Sequence, residues 1–545
     1  MPIAGPATHL SSSGVQASEV HRCRSEEPDA GPRRSHRRDG RHTLGVIVSL
    51  ERRRLLRIHR SAGASAGSHS GLDPVVWRTA LTVIVGALAV VFDTTIVSVA
   101  LHDLAKDLHA SISTIQWVST GYLLSMAVTV PLTGWAQSLV GGKRLWICAL
   151  AMFLLGSVLC ACAWNAPSLI AFRAVQGIGG GMMLPLMMTL IMQAAKGRNV
   201  GAVMAVVTMP ASVGPILGPM LGGVILNLGA WRWLFLVNIP FCVGGAWLAY
   251  RNLPVDRPVT RTPLDWVGFL LLSPGVAAIV FGLSRVQAAN GFGSVEVLAP
   301  LLTGVGLVAA FVRWASARGA RALVDVRLFR HRPLASASIL LFLTGAALYG
   351  ALLLLPLYWQ QLRGDSALDA GLLIIPQGAG ALLSRRLAGR LTDTIGPRWV
   401  GFVGFAIATA ATVPFAFVAL DTSNVLLMAA LLIRGVGIGT ATIPLAGTAY
   451  LGLPGVDVPS ASIITRVMQQ VGGSMGTAVL AVILQTAATG STDPAHAFRE
   501  AFWWAVGFTT LAVPLCLLLP GRPVASNAMP PSNENDVIAS DAIAP

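Results

Sequence analysis

At 545 residues, 54% of them hydrophobic and only 12% charged, the chain has a mean hydropathy of +0.68, well outside the range of soluble domains. Its formal net charge of +15 would suit a nucleic-acid binder only if the basic residues shared one face, and they gather instead in the amino-terminal tail and in alternate loops. Six cysteines, Cys23, Cys148, Cys160, Cys162, Cys242 and Cys516, sit mostly inside apolar runs without metal-ligand or disulfide spacing, which leaves packing as their expected role.

Residues 1–74 are rich in Ser, Gly, His and Arg, with clusters at Arg33, Arg34, Arg37 and Arg38 and at Arg52, Arg53 and Arg54. Without hydrophobic periodicity this segment reads as a disordered cytoplasmic tail. No apolar run follows its arginines closely enough for a cleavable secretory signal. Contact with anionic lipid is one reading of the arginines; holding this end in the cytoplasm is the plainer one.

Beyond the tail, apolar runs of about 20 residues recur, each long enough to cross ~30 Å of hydrocarbon as a helix. Runs this continuous exclude a transmembrane barrel, whose strands alternate over about 10 residues. Fourteen spans are expected, beginning near Trp77, Ile115, Leu145, Leu169, Val200, Trp233, Trp266, Val297, Leu334, Gly371, Val400, Val425, Ala461 and Ala501. The fold class is therefore an all-α integral membrane protein. Basic residues mark every second loop: Lys143 and Arg144; Lys196 and Arg198; Arg251, Arg257 and Arg261; six arginines between Arg313 and Arg332; then Arg385, Arg386, Arg390 and Arg398. The opposite loops are poor in them, which puts both termini in the cytoplasm. The inner loop at residues 452–460, with Asp457 and no basic residue, departs from the rule.

The first span carries Asp93 well inside its apolar run. An ionisable group at membrane depth costs about 3 kcal/mol on insertion scales, so it usually has a polar task. A buried carboxyl suits reversible protonation, which coupling to a proton gradient requires; the plainer reading is a carboxylate that only fixes helix packing. Arg173, in the middle of the fourth span, is its expected electrostatic partner or a donor to a backbone carbonyl, and cannot itself give up its proton. Gln176 lies three residues on, shares that face and extends a polar patch along a substrate cavity.

In the loop before the third span, Gly134 and Gly141 suit tight turns, while Lys143 and Arg144 suit helix C-terminal carbonyls or acids of the other half, a cytoplasmic latch. In the fifth span Gly214, Gly218 and Gly222 recur every four residues, with Pro215, Pro219 and Gly223 among them. Small residues admit a neighbouring backbone and prolines bend a helix, which predicts a hinge or seal, or else a kinked packing helix with no moving part. The latch pattern returns as Gly389, Asp393, Gly396 and Arg398, and Arg434 with Gly437 and Gly439 echoes Arg173 with Gly177 and Gly179. Two related halves are what a repeat-built transporter predicts. Gln377, Gln469 and Gln470 are further candidates for lining the cavity, as are Arg466 and Gln485.

The chain has no phosphate loop, no loop large enough for a nucleotide-binding domain, and no cluster of His, Cys or carboxylates for a metal or active site. An ATP-driven pump, a resident cofactor and an enzyme are thus not expected.

These residues together are similar to the fourteen-span drug:proton antiporter branch of the major facilitator superfamily, over essentially everything after Trp77. Asp93 to Val97 resemble the branch's first-span signature, Arg173 to Gly177 its fourth-span motif and Gly214 to Gly223 the fifth-span motif of exporters. The stretches 231–240, 264–268 and 324–329 also resemble it. The resemblance implies two six-helix bundles, at 75–252 and 333–520, rocking about a central site, with two extra helices in 253–332 between them and a disordered tail at 521–545. It implies multidrug efflux: protons enter as a hydrophobic or amphiphilic molecule, cationic ones included, leaves across the inner membrane. The partners so named are a drug-like substrate, protons and the bilayer, with no nucleic acid, no metal and no cofactor, and a periplasmic adaptor stays open. Ser138 and Leu139 stand where the family has an acid followed by a base, so only the second loop keeps its acid, Asp393. Beside the multidrug reading stand a dedicated exporter of one metabolite and a non-transporting sensor or scaffold with the same fold.

Overall fold

A computed structural model of the chain describes residues 73–97, 100–196, 200–208, 214, 217–218, 221–226, 231–254, 263–286, 291–490 and 493–521. The arginine-rich tail with Cys23, the two prolines of the fifth span and the carboxy-terminal tail after residue 521 lie outside them. The described residues are helical with short connections and contain no strand. We number the principal helices α1 Pro74–Ile96, α2 Ile112–Thr129, α3 Gly142–Ala161, α4 Ala166–Ala195, α5 Val200–Val207, α6 Asn238–Asn252, α7 Trp266–Arg285, α8 Val295–Arg318, α9 Arg332–Leu357, α10 Ala367–Ile395, α11 Pro397–Thr412, α12 Asn424–Thr448, α13 Val458–Gly490 and α14 Pro494–Leu515.

Short polar signals start these helices. Asp73 accepts from the Val75 amide ahead of Pro74, and Asn165 and Ser168 form a reciprocal capping box with Pro167 in the first turn of α4. Ser366 accepts from the Asp369 amide at the head of α10. Each satisfies amides that the helix itself leaves without an acceptor.

Twelve helices among the described residues are long and apolar enough to cross a membrane, two fewer than the fourteen expected. The two others are α10, 29 residues long but bearing Arg385, Arg386 and Arg390, and the fifth span, described as α5 and shorter helical pieces up to residue 226. Arginine near one end of α10 and the incomplete description of the fifth span account for the shortfall.

The two halves pack alike. In the first, α4 lies against α2, α3 and α1, and α6 against α1 and α3; in the second, α12 lies against α10, α11 and α9, and α14 against α9 and α11. The halves meet where α5 packs on α10 and α12, and where α4 packs on α13. The extra pair α7 and α8 packs together, and α7 touches both α2 and α13. Asp265 ties this pair down: its carboxylate accepts from the Gly268 amide, the Trp314 indole and the Leu323 amide at 3.1, 3.0 and 3.2 Å.

Candidate functional site

Asp93 on α1 is fully buried, and Arg173 on α4 donates from Nη1 to its Oδ2 at 2.6 Å. The second carboxylate oxygen, Oδ1, accepts from Gln176 Nε2 at 3.0 Å and from Asn238 Nδ2 on α6 at 3.2 Å. Both amides also donate to Ser157 Oγ on α3, at 2.7 and 3.0 Å. Arg173 Nη1 donates in addition to Gln176 Oε1 at 2.8 Å, and its Nε to the Val118 carbonyl on α2 at 3.3 Å. The Tyr122 ring lies against the guanidinium, 4.0 Å from its centroid. One ion pair thus gathers donors and acceptors from α1, α2, α3, α4 and α6. A buried pair is stabilised when neighbouring groups satisfy its lone pairs and protons, and this network gives both carboxylate oxygens donors and the guanidinium two further acceptors.

The sequence named Asp93, Arg173 and Gln176 but missed Ser157, Asn238 and Tyr122. Each is a polar or amphipathic residue inside an apolar run, and its rotation toward the network follows from helix packing that the sequence does not contain. Gln176, expected to face a cavity, is instead wholly enclosed in this network.

The glycine stripe of the fifth span lies on α1 beside Asp93. A Cβ at Gly214 would meet the Val91 side chain, one at Gly218 the Thr95 side chain, and one at Gly222 the Ile96 carbonyl. Thr95 Oγ1 donates to the Gly214 carbonyl at 3.2 Å. Only hydrogen atoms at these positions let the two backbones come so near. Gly223 is half-buried one residue further on, and Pro215 and Pro219 lie outside the described residues.

The second half repeats the frame with different chemistry. Arg434 donates to Gln377 Oε1 at 2.7 Å, to Thr412 Oγ1 at 3.1 Å and to the Ala347 carbonyl at 3.0 Å. The echo of Arg173 in Arg434 is corrected here. Gly177 packs on the Tyr122 backbone and Gly179 on Ala149 and Phe153, just as Gly435 packs on the Gln377 backbone and Gly437 on Gly404 and Ala408. Matching the glycines by what they touch sets Arg434 opposite Gln176, Thr412 opposite Ser157 and Gln377 opposite Tyr122. The apolar pattern alone permitted a match two residues out of step.

The loop motifs are related in the same way. Gly141 and Gly396 both adopt positive φ, 88° and 100°, between consecutive helices, a backbone conformation that favours glycine. Two residues on, Lys143 Nζ donates to the Tyr250 and Leu253 carbonyls at 2.7 and 3.0 Å, closing the end of α6. Arg398 Nε donates to the Leu519 carbonyl at 2.9 Å beyond α14. Both basic residues therefore meet helix-end carbonyls of their own half. Gly134 rests against Pro459 and Ile463 at the start of α13; Arg144 is exposed, Gly389 buried and Asp393 half-buried.

Polar bonds between the halves lie at this same loop end. Thr189 Oγ1 on α4 donates to Ser462 Oγ on α13 at 3.1 Å, and Arg385 on α10 donates to Thr208 and to the Ala205 carbonyl after and on α5; within the second half, Tyr450 Oη donates to the same Ser462 oxygen at 3.2 Å. Of the remaining cavity candidates, Gln377 is buried with Arg434, while Gln469 and Gln470 are half-buried on α13. Among the described residues no three His, Cys, Asp or Glu side chains group as a metal site would need.

A sequence model described as Major Facilitator Superfamily matches residues 83–477. A multidrug resistance protein B homolog of Mycobacterium tuberculosis is 39% identical over 415 residues, 76% of this chain and 77% of that protein. The lincomycin resistance protein LmrB of Listeria innocua is 28% identical over 393 residues, 72% and 83% of the two chains. Among solved structures, the proton:xylose symporter XylE bound to 6-bromo-6-deoxy-D-glucose superposes with a TM-score of 0.54 at 14% identity, over 81% of this chain and 94% of that one. With the all-helical, two-half architecture, these matches establish that the chain belongs to the Major Facilitator Superfamily, multi-pass membrane transporters and not enzymes.

Proposed function

We propose that the protein is a proton-coupled antiporter that exports hydrophobic or amphiphilic drug-like molecules across the inner membrane, with both termini in the cytoplasm. The observation that carries the reading is the Asp93–Arg173 pair. Protonation of Asp93 removes the counter-ion of a guanidinium that stays charged, so the network across five helices must rearrange whenever a proton arrives. Asp93 shares α1 with the contacts of the fifth-span glycines, so that rearrangement is delivered to the packing of α5, whose other neighbours are α10 and α12 of the second half. The resistance proteins to which the chain is similar support efflux as the direction.

In this reading the bundles comprise residues 75–252 and 333–520, with 253–332 joining them, and rock about a site between them. Basic residues assign the loop end to the cytoplasm, so the Thr189–Ser462 bond and those of Arg385 close the inner side. The glycine loops and their basic residues hold the helix ends that this closure uses. The test is proton release from purified protein on adding cationic dyes, antibiotics and neutral or acidic amphiphiles. Release with a saturable dependence on at least one compound supports the reading; binding without any proton exchange across the panel contradicts it and favours a scaffold.

A further inference from the structure

The polar face of α13 rises from the inner seal. Ser462 belongs to the seal through Thr189. Arg466 stands one helical turn deeper on the same face, and Gln469 and Gln470 follow it. Arg466 is half-buried. Its Nη1 reaches Gln469 Oε1 only at 3.5 Å, and its Nε is enclosed without a hydrogen-bond partner among the described residues. Around it the side chain meets no acid among the described residues: its one hydrogen bond there is the one to the Gln469 amide oxygen. An orphaned guanidinium donor one turn above the seal describes a place where an acceptor belongs.

The charge balance gives the acceptor its sign. Asp93 is the one acid fully buried inside a span among the described residues, and it is bound to Arg173. Arg434 and Arg466 have only neutral acceptors. The interior therefore holds guanidinium charge in excess of carboxylate, and a permanent cation in low dielectric gains most from an anion with which it can form charge-assisted hydrogen bonds.

We infer that Arg466, with Gln469 beside it, binds the negatively charged head of an amphiphilic cargo. The inference rests on the export reading above and narrows its substrates to acids, where the sequence had included cations. A carboxylate has the acceptors to engage the Arg466 guanidinium, while a quaternary ammonium meets no uncommitted acid at Arg466 among the described residues.

The experiment compares equilibrium binding of radiolabelled dodecanoate and dodecyltrimethylammonium to the full chain in phosphatidylcholine nanodiscs at neutral pH, corrected for empty discs. Native protein binds dodecanoate about tenfold more tightly or better, the scale of one charge-assisted hydrogen bond. Arg466→Gln abolishes the preference, and Arg466→Lys retains its sign in weaker form. Equal or reversed preference in the native protein overturns the assignment, as does an undiminished preference in Arg466→Gln. Proteoliposomes separate the two levels of the account: gradient-driven movement confined to the cation defeats this site and leaves export standing, whereas an acid preference without gradient-driven movement of either probe defeats export and leaves the site.

Discussion

Arg434 on α12 occupies, in the second half, the position that Gln176 on α4 occupies in the first. One amide completes an ion pair by donating to Asp93; the guanidinium opposite it serves three neutral acceptors and no acid. The frame is shared, and on the proposed reading the half with the carboxyl is the one that answers to protons.

Truncating Arg434 should therefore cost stability. Arg434→Ala leaves the Gln377 amide oxygen, the Thr412 hydroxyl and the Ala347 carbonyl without their donor, an expected loss of about 1–3 kcal/mol. Arg434→Gln, the residue type of the first half, should lose less. Thermal unfolding in a neutral detergent ranks them: native above Gln above Ala.

The ion pair should behave as a unit. Removing either charge strands the other in the interior, with an expected cost of about 3–5 kcal/mol for Arg173→Gln or Asp93→Asn alone. The double variant strands neither and should recover a large part of that loss. A double-mutant cycle on unfolding midpoints checks this, and additive losses would contradict it.

Close approach of the fifth span to α1 predicts a size limit at Gly218. A methyl group there meets the Thr95 side chain, so Gly218→Ala should slow efflux from cells several-fold, and Gly218→Val should abolish it. Adding Thr95→Ala to Gly218→Ala removes the obstructing atoms and should restore part of the rate.

Lys143 and Arg398 should act alike on opposite halves. Lys143→Ala removes two bonds to the end of α6, and Arg398→Ala removes one beyond α14. Each should destabilise its helix end by about 1 kcal/mol, the scale of single hydrogen bonds there. Amide exchange should accelerate around Tyr250 to Leu253 in the first variant and near Leu519 in the second, with the opposite half unchanged.

Much of the architecture was legible because hydrocarbon is an unforgiving solvent. Spans of the required length, the lone intramembrane Asp93 and the mid-span Arg173 stand out in any linear reading. The loop repeat around Gly141 and Gly396 was equally readable, since positive φ restricts the choice of residue. The partners Ser157, Asn238 and Tyr122 were not, because an apolar run does not state which way each polar side chain turns. The Arg434 match slipped for a related reason: glycines every two residues fit more than one register, and only their contacts choose. For Lys143 the sequence offered helix-end carbonyls or acids of the other half, and the Tyr250 and Leu253 carbonyls are what it meets.

The central claim is that Asp93 exchanges the driving proton, and Asp93→Asn in proteoliposomes addresses it most directly. Substrate counterflow without a gradient should persist in this variant, while the acceleration that an imposed pH gradient gives the native protein should vanish. An Asp93→Asn protein that still accelerates fully under the gradient would mean that the proton travels by another group.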